Sequence, residues 1–253
     1  LPTASPTSTS PATRQDRDQA DAQQLVDAVT PLLSDPDTSH LQAWLDSNYP
    51  PQRLCRYLCN ASADVRQVAA FSLSLVGTRA CLNDLLLALQ DEDEPVTRMA
   101  ELAMWSIWCR SGTPSANRLL ADGNNALANE DLAAATMFFD AAVRLCPRFA
   151  EALNQRSIVN FLVGRYDEAM ADCEDCLRHE PSHFAAWAGL GHCCAALGNA
   201  AGAANAYRKA LALHPGLSCV RDALETIERG GEALDAAQRG LDCSRRNESR
   251  EHF

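Results

Sequence analysis

Three prolines spaced 34 residues apart, Pro147, Pro181 and Pro215, set the period of the second half of the chain. In register on them, successive blocks carry Gly123, Ser157 and Gly191 at one position, Ala135, Ala169 and Ala203 at a second, and Phe139, Cys173 and Tyr207 at a third. Ala142, Cys176 and Ala210 follow three residues later. Small residues at fixed helical offsets let two helices approach closely. A unit this short cannot bury its own apolar face, so it must stack on its neighbours. The period therefore predicts an all-α chain of stacked helix pairs and points to binding rather than catalysis.

The remaining composition agrees. Of 253 residues, 47% are hydrophobic, enough for a continuous interior, and only 6% are aromatic, which suits closely packed helices better than sheets. A net charge of -11 without a basic stripe opposes binding to nucleic acid or an anionic membrane surface. No apolar run reaches the length of a membrane span. Eleven cysteines, most of them within helical patterns, read as free buried thiols in a reducing compartment. A cytoplasmic location is the expectation, although a chain beginning at Leu1 leaves room for an upstream leader or anchor.

The blocks 116–149, 150–183 and 184–217 resemble tetratricopeptide repeats, the third most closely through Trp187, Leu190, Gly191, Ala203, Tyr207, Ala210 and Pro215. Gly164 and Gly198 stand where the first helix of a block turns into the second. The first block has Glu130 there, which predicts a looser turn. Val220, Leu224 and Ile227 give a further amphipathic helix that would cap the last block. Upstream the period changes. A shift of 31 residues superposes Val65 on Val96, Val68 on Met99, Ala69 on Ala100, Leu73 on Met104 and Val76 on Ile107, with Leu82, Leu85, Leu86 and Leu89 between the copies. This stretch resembles the short HEAT-like repeat.

Together the resemblances imply a right-handed α-solenoid: a Pro/Ser/Thr tail over 1–18, HEAT-like helices over 19–112, tetratricopeptide repeats with a capping helix over 113–239, and a mobile tail over 240–253. Within 19–61, ahead of the two 31-residue copies, helical faces are read at Leu25–Leu33, broken by Pro31, at Leu41–Leu45, and after Pro51. With no linker near Gly112, the two halves are expected to join end to end as one curved rod, Trp105 and Trp108 packing at the junction.

Several motifs tempt towards chemistry. His179-Glu180-Pro181-Ser182-His183 matches the H-E-x-x-H zinc signature, but that site needs both imidazoles on one uninterrupted helix and Pro181 divides them. Cys173, Cys176, Cys193 and Cys194 offer an alternative thiol or metal function, yet Cys173 and Cys176 occupy offsets filled by packing residues in the sister blocks. The acidic run Asp91–Glu94 is read as a solvated turn capping the next helix. No phosphate loop, nucleophile elbow or cofactor motif is present, so a noncatalytic chain without cofactor is expected. Some proteins with HEAT-like repeats are lyases acting on bilins, but no residue set supports that chemistry here.

The tetratricopeptide resemblance implies that the first helix of each block lines a concave groove. On this chain the groove positions are Asn117, Leu120, Asn124, Leu127, Glu151, Asn154, Gln155, Ile158, Phe161 and His192. Amides there could pair with the main chain of an extended peptide, and apolar residues could hold an anchor. Family members that clamp a chaperone's terminal carboxylate use Lys and Arg in this groove, where this chain has Leu120, Ala185 and Gly189. The expected partner is thus another protein's extended segment or helix, recognised without a carboxylate clamp.

Overall fold

A computed structural model describes residues 14–32 and 38–230, which form thirteen α-helices and no strand. The first helix, α1 (Arg14–Val29), begins inside the stretch read as a tail and stops before Pro31, which lies in a short 3-10 turn. The rest of the expected N-terminal tail, 1–13, and the C-terminal tail lie outside the described residues. Next come α2 (Ser39–Asn48), α3 (Pro51–Tyr57), α4 (Ala63–Val76), α5 (Leu82–Ala88) and α6 (Glu94–Cys109). Pro51 occupies the first turn of α3, where its missing N–H costs nothing.

The 31-residue correspondence marks one face of α4 and one of α6. Val65, Val68, Ala69, Leu73 and Val76 are buried, as are Val96, Ala100, Met104 and Ile107, with only Met99 partly exposed. Arg66 makes a two-pronged ion pair to Asp91 at 2.7 and 2.8 Å, which holds the Asp91 carboxyl below the usual range. Asp91 thus ties α4 to the turn before α6, while Asp93, the residue at the N-cap of α6, makes no side-chain capping bond. Arg110 donates to the carbonyls of Leu73, Ser74 and Gly77, satisfying the open end of α4.

The 34-residue units follow as α7 (Pro114–Ala128) with α8 (Leu132–Leu145), α9 (Ala150–Leu162) with α10 (Tyr166–His179), and α11 (Phe184–Ala196) with α12 (Ala200–Leu213). The final helix is α13 (Ser218–Glu228). Ala135, Ala169, Ala203, Phe139, Cys173, Tyr207, Ala142, Cys176 and Ala210 are all fully buried. A Cβ on Gly123 would come within 2.4 Å of the Phe139 ring, and one on Gly191 within 2.3 Å of Tyr207. The middle unit has Ser157 and the smaller Cys173 at those two positions. Val220 of α13 is buried, with Leu224 and Ile227 packed against the last pair.

The expected loose turn at Glu130 is not found. Glu130 adopts φ 60°, and Asp131 N–H donates to the Ala126 carbonyl at 2.9 Å. The glycine turns make the same bond, from Arg165 to Asn160 and from Asn199 to Cys194. The first turn is as tight as the others, at the cost of a left-handed glutamate.

The two halves do not join end to end. Instead α6 runs along the loop edge of the repeat stack. Beyond its C-terminus, Gly112 lies under the Phe149 ring. Trp108 stacks on His183 at 4.0 Å between ring centroids, and Trp105 meets His183 and Phe184 edge-on. Further back, Glu101 pairs with His214 at 3.1 Å. Arg79 reaches the His179 carbonyl and Glu180, and Gln90 reaches the carbonyls of Ala212 and Leu213. The two tryptophans therefore pack on the loop that opens the third unit, not on the first unit alone.

Candidate functional site

The groove positions fall on α7, α9 and α11, and the structure divides them by burial. Leu120, Glu151, Asn154, Gln155, Phe161 and His192 are buried, whereas Asn117, Asn124, Leu127 and Ile158 are half-buried. Leu120 belongs to the core of the first unit, packed with Ala116, Phe139 and Phe149. Asn117 donates to the Arg110 carbonyl at 3.1 Å and so closes the end of α6.

The central helix α9 carries more buried polar side chains than any other described helix: Glu151, Asn154, Gln155, Ser157 and Asn160. Gln155 donates to one oxygen of Glu151 at 2.8 Å, and His183 Nε2 lies 2.9 Å from the other. Ala186 N–H donates to His183 Nδ1 at 3.2 Å, so Nδ1 is the acceptor and the ring proton sits on Nε2, donated to Glu151. His183 thereby caps α11, satisfies Glu151 and stacks on Trp108 at once. Glu151, read from the sequence as a groove residue, is instead an internal acceptor. Asn160 and Arg156 both donate to Asp172, which joins α9 to α10.

At the other end of the wall, His192 faces the Tyr207 hydroxyl across 2.8 Å. Complete burial pulls its pKa down to about 4, so it is neutral near pH 7. Four wall residues retain buried polar atoms without a protein hydrogen bond: Asn117 Oδ1, Asn124 Oδ1, Asn154 Nδ2 and His192 Nε2. Asn117 is already engaged at the end of α6 through its amide nitrogen. Asn124 offers an acceptor and Asn154 a donor. These two come from successive units, with Leu127 and Ile158 half-buried on the same helices.

The cysteines singled out for thiol or metal chemistry lie in the interior. Cys173, Cys176, Cys193 and Cys194 are all buried, and burial raises the thiols of Cys176 and Cys194. The Cys193 thiol is raised chiefly by its interaction with Cys173. The expectation of free thiols fails at Cys219, which is disulfide-bonded. His179 ends α10 and His183 precedes α11, so the two histidines of the zinc-like motif share no helix. No described helix is long and apolar enough to cross a membrane.

Residues 161–224 match the tetratricopeptide repeat family model, and over that stretch the chain is built of tetratricopeptide repeats. A TPR repeat-containing protein of Rhizobium etli is 33% identical over 108 residues, covering 43% of this chain and 53% of the relative. The small glutamine-rich tetratricopeptide repeat-containing protein 2 of Saccharomyces cerevisiae is 31% identical over 96 residues, covering 38% and 28%. The chain thus spans about half the length of the first relative and less of the second. Among solved structures, the first TPR of Spaghetti bound to an HSP90 peptide aligns with a TM-score of 0.46 at 19% identity, covering 47% of this chain and 97% of that one. The TPR protein YrrB aligns with a TM-score of 0.42 at 19% identity, covering 81% and 99%.

Proposed function

We propose that this protein is a noncatalytic adaptor that holds an extended segment of another protein against the wall formed by α7, α9 and α11. The unpartnered Asn124 Oδ1 and Asn154 Nδ2 carry this reading. Both atoms are closed to solvent in the free protein, so a seated peptide main chain, offering an N–H to the first and a C=O to the second, reaches them once the Asn124 and Asn154 side chains turn outward. Leu127 and Ile158 supply the apolar surface for an anchor residue. Of the other groove positions, Asn117, Leu120, Glu151, Gln155 and Phe161 serve this reading by shaping the wall from within, and His192 closes its far end.

The same reading assigns 113–239 to the peptide-binding unit and 19–112 to a HEAT-like unit. The matching buried faces of α4 and α6, and the Arg66–Asp91 pair between them, support that assignment. The N-terminal unit then serves first as a support for the repeat loops.

Selection of a displayed random-peptide library on the purified protein tests the groove. Selected peptides should bind Asn124→Ala/Asn154→Ala at least tenfold more weakly, since two hydrogen bonds contribute about 1 kcal/mol each and tenfold corresponds to about 1.4 kcal/mol. Peptides that bind the double variant as well as the parent, with helicity unchanged, would remove the groove assignment.

A further inference from the structure

The second helices of the three repeats pack alike on their inner faces and differ on their outer ones. On α8, Ala133, Met137, Ala141 and Leu145 recur every fourth residue and form a single ridge. Met137 and Leu145 are 59% and 51% exposed, Ala133 is exposed and Ala141 half-buried. At the same offsets α10 carries Asp167, Asp175 and His179, and α12 carries Asn205 and Lys209. The repeat itself therefore has no need of apolar residues there. Its internal packing is made by Ala135, Phe139 and Ala142, which are fully buried on the opposite side of α8, Phe139 against Gly123 of α7.

We propose that this ridge is where a second copy of the chain docks, by antiparallel pairing of α8 with α8 about a two-fold axis. Both size and charge along the helix match their own reverse. The ridge alternates small and large residues, so an axis level with residue 139 sets Ala133 against Leu145 of the second copy and Met137 against Ala141. Parallel pairing would set large against large. The charges follow the same register: Glu130 and Asp131 stand before the helix, Arg144 and Arg148 at its end, and all four are exposed. Asp131 caps α8 through the Ala134 N–H, while Glu130, Arg144 and Arg148 enter no ion pair among the described residues. In the antiparallel pair the acidic start of each α8 lies beside the basic end of the other, and the two helix dipoles oppose. Asp140, the one acid within α8, is already paired with Arg156 at 3.1 Å.

A net charge of -11 resists association of copies in general, so pairing has to come from a face whose own charges match. An unrelated helix would need only the apolar stripe, not the alternation and the end charges that coincide on reversal. With 14 residues, α8 is about 21 Å long, so the contact is smaller than a standard interface of roughly 1,600 Å² and the dimer is weak and reversible. The ridge lies on the side of α8 away from α7, so the pairing leaves the wall of α7, α9 and α11 uncovered.

Sedimentation velocity of the whole protein, from about 1 μM to about 1 mM and with the exposed Cys59 alkylated to exclude a covalent link, should show monomer passing to dimer and no further. Met137→Glu, at an exposed position, should weaken dimerisation by about tenfold or more with helicity unchanged. Glu130→Arg and Arg148→Glu should each weaken it about tenfold, because every facing pair becomes a like-charge pair. Mixed in equal amounts, those two variants should form a heterodimer as tight as the parent's homodimer, since each supplies the charge the other lacks. A protein that stays monomeric to about 1 mM, or that grows beyond a dimer, overturns the proposal. So does a Met137→Glu dimer of parental affinity, or a mixture that associates no better than the single variants.

Discussion

Replacing His183 with Ala asks how firmly the N-terminal unit is fastened to the repeats, because this one ring serves three elements. Removing it strips the N-cap acceptor of α11, a loss of about 1 kcal/mol. Its Nε2–H bond to the buried Glu151 is also lost, leaving that carboxylate with Gln155 alone at a cost of about 2 kcal/mol. The space vacated beneath Trp108 adds about 1 kcal/mol or more. The expected loss is therefore about 4 kcal/mol, or a fall in Tm of roughly 8–16 °C for a chain of this size. Urea unfolding followed by near-ultraviolet circular dichroism reads both stability and the environment of Trp108. His183→Asn, which can still cap α11, should recover part of the loss. A double-mutant cycle with Trp108→Ala should show coupling of about 1 kcal/mol. A loss below about 1 kcal/mol in His183→Ala, with no coupling to Trp108, would refute the reasoning that α6 is fastened here.

Glu130→Gly should stabilise the protein by about 0.5–1 kcal/mol in thermal unfolding, since it relieves a left-handed side-chain-bearing residue; no gain would mean that the turn carries no strain. Gly191→Ala should destabilise by about 2 kcal/mol or more in urea because its Cβ meets the Tyr207 ring, and Tyr207→Ala in the same chain should reduce the additional cost of that substitution. The pH dependence follows from His192. Its folded pKa of about 4 lies below the unfolded value of about 6.5, so between these limits the unfolded chain holds the extra proton, and stability falls as pH drops through the window. The difference in unfolding free energy between parent and His192→Gln should therefore change by roughly 3 kcal/mol from pH 7 to pH 4, and parallel curves would contradict it.

The repeats are legible in the sequence because each packing position recurs with the same chemistry. Gly123 against Phe139 and Gly191 against Tyr207 are small-to-large pairs that the 34-residue period sets side by side on its own. The course of α6 is not legible. Trp105, Trp108, Glu101 and Arg79 belong to no shared period with His183, Phe184, His214 and Glu180, and their meeting depends on how two units rotate about Gly112. Glu151 escapes the sequence for a related reason. A carboxylate on a groove position reads as surface unless its partner is known, and His183 lies 32 residues away beyond a loop. The Glu130 turn shows the converse: the backbone bond to Ala126 overrides a poor local preference.

In a free-standing stack each unit grips only the next, so the array can bend and fray like a loose spring. A splint laid across the loops of all three units removes much of that freedom. Any segment seated opposite it would meet a template whose curvature was set before it arrived, and would be chosen by fit rather than by wrapping.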